Sequence, residues 1–132
     1  MRGLKHSLLL AVLLSQAGQA QAPDWSHAQT VSVELSSFKF TPEALTLRRG
    51  TPYRILLSNS SSGGHDFVAK EFFAASSIAA EDQGKIRKGG VDVDGGESVE
   101  VRLVPNQAGS FDVHCSHFMH SGFGMKGSII VR

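Results

Sequence analysis

The stretch that decides the fold is FDVHCSHFMHSGFGMKGSIIV, residues 111–131. It begins with an alternating segment in which Phe111, Val113 and Cys115 share one face, and it ends in a second β-like run over residues 127–131. Alternation with period two is typical of a half-buried strand. The stretch therefore predicts a strand, a long loop and a closing strand, with the chain's single cysteine carried inward to the end of the core.

Soft and borderline metal ligands follow at regular spacing in this loop. His120 comes five residues after Cys115, Met125 comes five residues after His120, and His65 at the end of an upstream glycine-rich loop offers one more imidazole. A thiolate and two imidazoles in a plane, with a weak axial thioether, are the donors of mononuclear electron-transfer copper. The sequence predicts copper ligation by His65, Cys115, His120 and Met125. The alternative is a packed core without metal, and Met125 is the ligand most easily replaced by a purely packing role.

Two further histidines flank the cysteine. By alternation His114 faces outward, and His117 lies in the loop. Solvated loop histidines are the simpler interpretation of both. A second, weaker copper site or a docking surface is the alternative.

Other motifs in the chain are weaker evidence for a function. Gly122 to Gly127 matches the GxGxxG nucleotide fingerprint, but that motif needs a following helix, and only five residues remain. Asn59-Ser-Ser61 matches a glycosylation acceptor, a pattern that is common by chance. Cys115 as a catalytic nucleophile is disfavoured because an inward-facing thiol is poorly placed to meet a substrate. We therefore predict that the protein is not an enzyme.

The rest of the chain is β-rich. Alternating segments that predict further strands occupy residues 31–35, 45–47, 53–57, 91–93 and 99–103. Short strands separated by turns at regular spacing are typical of an antiparallel sandwich or barrel. Residues 71–82 lack Gly and Pro and are rich in Ala and acidic residues, which predicts one short helix packed on the side of a sheet.

The first 20 residues predict a secretory signal. Arg2 and Lys5 precede an apolar run over residues 8–14, and Ala20 ends a small-residue cleavage site, with Ala22 as the alternative. The apolar run is shorter than the about 20 residues needed to cross a bilayer. We therefore predict signal cleavage, periplasmic localisation and no membrane span in the mature chain.

The predicted mature chain is one domain. Residues 21–29 predict a flexible N-terminus, and residues 30–132 predict the folded domain. Of the 13 basic residues, Arg2 and Lys5 leave with the signal, so acidic side chains slightly outnumber basic ones in what remains. A basic run with interleaved aromatics is absent from the sequence, which disfavours a nucleic-acid partner.

The sequence resembles the cupredoxins, the small blue-copper proteins, over nearly the whole mature chain. The resemblance lies in residues 40–50, in His65-Asp-Phe67, and in a ligand loop that runs from Cys115 through His120 to Met125-Lys-Gly127. It implies a Greek-key β-sandwich with one copper ion per chain on His65, Cys115, His120 and Met125. Two positions depart from the family pattern: Phe118-Met119 replaces a usual Pro-Gly, and Asp66 replaces a usual Asn. Such neighbours of the ligands tune a metal site.

The resemblance also implies a function. We expect a monomeric one-electron carrier that meets redox proteins briefly, with His120 as the exposed ligand inside an apolar rim of Phe118, Met119 and Phe123. The alternative is an envelope copper carrier or buffer that delivers copper to, or withholds it from, copper-handling proteins.

Overall fold

Two five-stranded sheets make up most of the protein in the computed structural model, which describes residues 22–117 and 124–132. The strands of the first sheet, in spatial order, are β2 (Lys39–Thr41), β1 (Gln29–Ser36), β4 (Tyr53–Asn59), β8 (Ser98–Pro105) and β6 (Ser76–Ile78). The strands of the second are β3 (Ala44–Leu47), β10 (Lys126–Val131), β9 (Gly109–His114), β5 (His65–Val68) and β7 (Gly90–Val93). The predicted all-β sandwich is confirmed.

Pairing within the sheets is mixed rather than wholly antiparallel. β1 runs parallel to β4, and β3 runs parallel to β10, whereas the other paired strands are antiparallel. Parallel neighbours require a crossover connection. The crossover from β1 to β4 passes through β2 and β3, which lie in different sheets. The expectation of an antiparallel sandwich is corrected on this point.

One core fills the space between the sheets, and alternation along the strands builds it. In β4 every second residue is buried, beginning with Tyr53, and in β9 the buried residues are Phe111 and Val113. Aromatic rings link the two layers, since Phe40 of β2 meets Phe67 of β5 edge-on with ring centroids 5.5 Å apart. The core therefore continues as far as the first residues of β5 and the last of β9, where the candidate ligands lie.

The predicted helix over residues 71–82 is only partly right. An α-helix, α1, spans Lys70–Ala74 and is followed by β6 and then by a 3₁₀ helix over Ala80–Lys85. The Ser76 hydroxyl donates to the Phe72 carbonyl at 2.8 Å, a local bond of the kind that competes with helix propagation. The free edge of β8 then pairs with Ser76–Ile78, so a tertiary ladder outweighs helix propensity here.

The segment before β1 packs against the first sheet. A 3₁₀ turn covers Trp25–His27, capped by the Asp24 side chain. The Arg54 guanidinium donates to the Trp25 carbonyl at 2.6 Å, and that of Arg102 lies 5.9 Å from the centre of the Trp25 ring. The polar composition of this segment did not predict these contacts. Over the described ranges, no helix has the length and apolar character needed to cross a membrane.

A buried carboxylate fastens the 3₁₀ helix to β8. Asp82 is 3% exposed, and its two oxygens lie 2.8 Å from Arg102 Nε and 2.8 Å from Lys85 Nζ. It also accepts the Arg102 backbone N–H at 2.9 Å. Burial alone would raise the pKa of Asp82, but the hydrogen bonds from Arg102 and Lys85 outweigh it and lower the pKa to about 2.

We expect Asp82→Asn to lower the free energy of unfolding by about 2 kcal/mol at pH 7. Because the folded-state pKa is depressed, this stability is present above the unfolded value of 3.8 and is lost as the pH falls towards about 2. Urea unfolding at pH 7, 4 and 2.5 should show the wild-type advantage shrinking across that window. Glu81→Gln, which removes an exposed partner of Arg102 at 3.4 Å, is the control and should change little. A pH-independent difference for Asp82→Asn would contradict the assignment.

Candidate metal centre

Cys115 directly follows β9, with its thiol turned into the core. It is 4% exposed, whereas its neighbours His114 and Ser116 are exposed, as the alternation predicted. Its backbone N–H donates to the Met125 carbonyl at 3.0 Å. This bond joins the two ends of the predicted ligand loop, so residues 115 and 125 are held together before β10 begins.

His65 is brought to the cysteine by a different strand. It is the first residue of β5, it is 5% exposed, and its register partner is Val93 of β7. Its Nδ1 lies 3.7 Å from Cys115 Sγ. Two of the four predicted ligands, 50 residues apart in the chain, therefore meet in the folded protein.

Of the other two predicted ligands, Met125 and His120, the structure describes only Met125. Met125 is completely buried and joins the core cluster that also contains Cys115. His120, with the predicted apolar rim of Phe118, Met119 and Phe123, lies outside the described residues.

Asp66 holds the cysteine from two sides. Its backbone N–H donates to Cys115 Sγ at 3.4 Å. Its carboxylate accepts the Ser116 backbone N–H at 2.6 Å and also the Ser116 hydroxyl. β5 and β9 are paired at Val68 and His114. Two residues away from this pair on each chain segment, the Asp66 side chain links β5 to Ser116.

Burial sets the protonation states of the central pair. Burial raises the pKa of the Cys115 thiol, although N–H donation from Asp66 and His117 works in the opposite direction. Burial lowers the pKa of His65, because it disfavours the charged imidazolium. His117 adds to this lowering, and Asp66 opposes it. Without a cation the arrangement thus favours a neutral thiol beside a neutral imidazole. A bound metal cation would compensate a thiolate there.

Asn59 organises the loop that leads into His65. It is 2% exposed; its amide donates to the Gly63 and Val93 carbonyls at 2.8 and 2.9 Å, and its oxygen accepts the Ser61 backbone N–H at 2.9 Å. In the folded protein the Asn59 amide nitrogen is therefore buried and occupied by two hydrogen bonds. Gly95 gives the loop room, because a Cβ at that position would lie 2.3 Å from the Ser62 carbonyl oxygen.

The two flanking histidines lie on the outer side of the second sheet. His114 is exposed at the end of β9, and His117 is exposed with its Nε2 3.8 Å from Asp66 Oδ2. The sequence identified both side chains but not the carboxylates beside them.

Sequence reasoning missed the roles of Asn59 and Asp66. An Asn at the end of a strand followed by Ser-Ser-Ser-Gly-Gly has the composition of an Asx turn, which could have indicated the first role. The second required the three-dimensional meeting of residues 66 and 116, which local pattern does not contain.

Known proteins similar to this chain were found by sequence and by structure. Residues 6–131 match the family described as the cupredoxin-like domain. The copper-resistant cuproprotein CopI of Rubrivivax gelatinosus is 32% identical over 115 residues, which cover 79% of this chain and 67% of CopI.

Two solved structures illustrate the structural similarity. Auracyanin B is 22% identical with a TM-score of 0.56, and the match covers 86% of this chain and 93% of that one. The McoA multicopper oxidase of Aquifex aeolicus is 14% identical with a TM-score of 0.63, covering 87% of this chain and 32% of the oxidase. At these identities the similarity is one of fold.

We expect Asn59→Ala to lower the free energy of unfolding by roughly 2 kcal/mol, because it removes a buried amide and leaves its backbone partners unsatisfied. Asn106→Ala is a matched control. Asn106 is exposed, and its amide donates to the Ser77 hydroxyl, so its loss should cost less than about 1 kcal/mol. Urea denaturation measures both values. Equal losses for the two variants would show that Asn59 does not organise the loop.

Proposed function

Because the chain belongs to the cupredoxin-like domain family, we propose that it binds one copper ion through His65, Cys115, His120 and Met125 and carries single electrons between redox proteins. The observation that supports this most directly is the buried Cys115 thiol with His65 Nδ1 3.7 Å from its sulfur. The fold positions the two side chains, and their sulfur and nitrogen atoms would bind the copper.

The residues present fit copper. A thiolate is a soft donor that favours Cu(I), and an imidazole is a borderline donor that suits both oxidation states of copper. The N–H groups of Asp66 and His117 that point at the sulfur stabilise a thiolate. Since a metal ligand must be deprotonated, a cation that displaces the thiol proton would remove the disadvantage of a buried charge.

The protein's own contribution would be rigidity. Copper bound there would supply a one-electron couple. His65 is held in a strand paired to β7, and Cys115 is tied to Met125 through the backbone and to Asp66 through its sulfur. Donors held in this way move little when the charge of the centre changes, which favours fast electron exchange.

Carrier activity is also more consistent with Cys115 than nucleophilic catalysis. The thiol is 4% exposed, and burial raises its pKa. A reactive cysteine needs thiolate character together with access to its substrate. We therefore propose that the cysteine serves as a ligand and that the protein is not an enzyme.

The sequence also supports a proposal for localisation and partners. We propose export by the signal over residues 1–20, a monomeric periplasmic protein, and brief encounters with redox proteins through His120 and its apolar rim. Accurate mass of the exported protein would distinguish a mature N-terminus at Gln21 from one at Pro23.

A second candidate function is copper sequestration or delivery. It is favoured by the similarity to CopI, which is described as a copper-resistant cuproprotein. A buffer would prefer one oxidation state and release copper to an acceptor, whereas an electron carrier would keep copper in both states.

Addition of Cu(II) to the mature protein should produce an intense visible thiolate-to-copper band. Cys115→Ser and His120→Ala should abolish it, and Met125→Leu should keep it with an altered reduction potential, because the axial ligand tunes the couple. His114→Gln is the control and should keep the band, since His114 faces away from the core. A protein that stays colourless with Cu(II) would refute copper ligation by Cys115.

Reduction and transfer assays separate the two functions. The copper-loaded protein is reduced and then mixed with a Cu(I) chelator of graded strength. An electron carrier should retain copper and reoxidise with recovery of the visible band. Loss of copper to a weak chelator, with slow electron exchange, would favour sequestration or delivery.

A further inference from the structure

Two carboxylates face each other on the outer side of the second sheet. Asp66 of β5 and Asp92 of β7 are register partners across an antiparallel pair, so their side chains project from the same face. Like charges directly opposite each other are destabilising in a sheet. A cation between them would remove that repulsion.

An imidazole completes a group of donors at this point. His117 Nε2 lies 3.8 Å from Asp66 Oδ2, and one donor atom from each of Asp66, Asp92 and His117 lies within 4.8 Å of the others. Donors bound to one metal at about 2.0–2.2 Å lie roughly 3–4 Å apart. Asp92 and His117 are exposed and can close the difference, whereas Asp66 is buried and fixed by its bonds to Ser116.

The group borders a surface cavity of about 510 Å³. His114 also lines this cavity, because its register partner Val68 lies two residues beyond Asp66 on the same face of β5. A second imidazole is therefore near the donors without belonging to the group.

Among the described residues, the arginine and lysine side chains that line this cavity form no ion pair with either carboxylate. Arg87 and Lys88 line the same cavity, but in residues 22–117 and 124–132 neither lies within 4.0 Å of a carboxylate oxygen of Asp66 or Asp92. The His117 imidazole, when protonated, forms an ion pair with Asp66 at 3.8 Å.

We propose that Asp66, Asp92 and His117 bind a second divalent cation, Cu(II) or Zn(II), at this outer face. Two carboxylate oxygens and one imidazole nitrogen suit these ions, and the general order of affinity places Cu(II) above Zn(II). The site contains no sulfur donor, so its copper lacks the thiolate band. Asp66 contributes to both the Cys115 centre and the outer site. Its backbone N–H donates to Cys115 Sγ, and its carboxylate would bind the outer cation.

The test starts from protein already loaded with one equivalent of Cu(II). Calorimetric titration with Zn(II), and electron paramagnetic resonance after a second equivalent of Cu(II), should reveal one additional ion with oxygen and nitrogen ligands. Asp92→Asn should weaken its binding at least tenfold and leave the visible thiolate band in place, and His117→Gln should weaken its binding to a similar extent.

Two control variants match the chemistry of these changes. Asp94→Asn removes one exposed carboxylate two residues from Asp92, and His27→Gln removes an exposed imidazole that lies beside the carboxylate of Asp24. Both should retain the binding of the second ion within about twofold. Absence of a second equivalent, or equal weakening by Asp94→Asn and Asp92→Asn, would overturn the proposal.

Metal binding at the outer site can also be measured in protein that has no copper bound at Cys115. Zn(II) titration of Cys115→Ser, with and without Asp92→Asn, measures the outer ion after the thiol has been removed. Asp92-dependent Zn(II) binding there would support the outer site even if wild-type protein proved colourless with Cu(II). Equal Zn(II) binding by Cys115→Ser and by the Cys115→Ser, Asp92→Asn double variant would count against the outer site.

Discussion

The contact on which the centre depends is the one between Asp66 and the segment that begins at Cys115. β5 and β9 pair at Val68 and His114, and beyond that pair the strands are linked through the Asp66 side chain and backbone. On the core side of this region, the His65 imidazole comes within 3.7 Å of the thiol. The Asp66 carboxylate thus links the two segments next to the place where the two candidate ligands meet.

The core makes this arrangement stiff. Rings of Phe40, Phe67, Phe73, Phe72 and Phe111 contact one another in sequence, from the first sheet through β5 to α1 and β9. Aromatic pairs of this kind add packing energy beyond the area that they bury. Because Phe67 and Phe111 belong to the strands that carry the ligands, movement of either strand would disturb this packing.

Periodicity predicted what depends on alternation, and it failed where tertiary pairing decides. The inward thiol of Cys115 and the outward ring of His114 follow from period two, and so do the strands on both sides of the ligand loop. The segment over 71–82 has helix-forming composition throughout, yet Ser76–Ile78 pairs with the edge of β8. The pairing of β1 with β4 depends on a crossover, which no local window contains. Ligation by His120 remains a prediction from spacing and family resemblance.

Asp66, at a position where the family resemblance leads us to expect asparagine, has contacts on both sides of the sheet. An amide oxygen could accept the Ser116 N–H equally well, so the link between the strands does not require a charge. What the carboxylate adds is a negative charge between the buried sulfur and the exposed side chains of Asp92 and His117. The carboxylate has the His117 imidazole 3.8 Å away, and the outer cation proposed above would lie between it and Asp92. Occupancy of the outer face would then alter the field at the sulfur through the same residue that positions it.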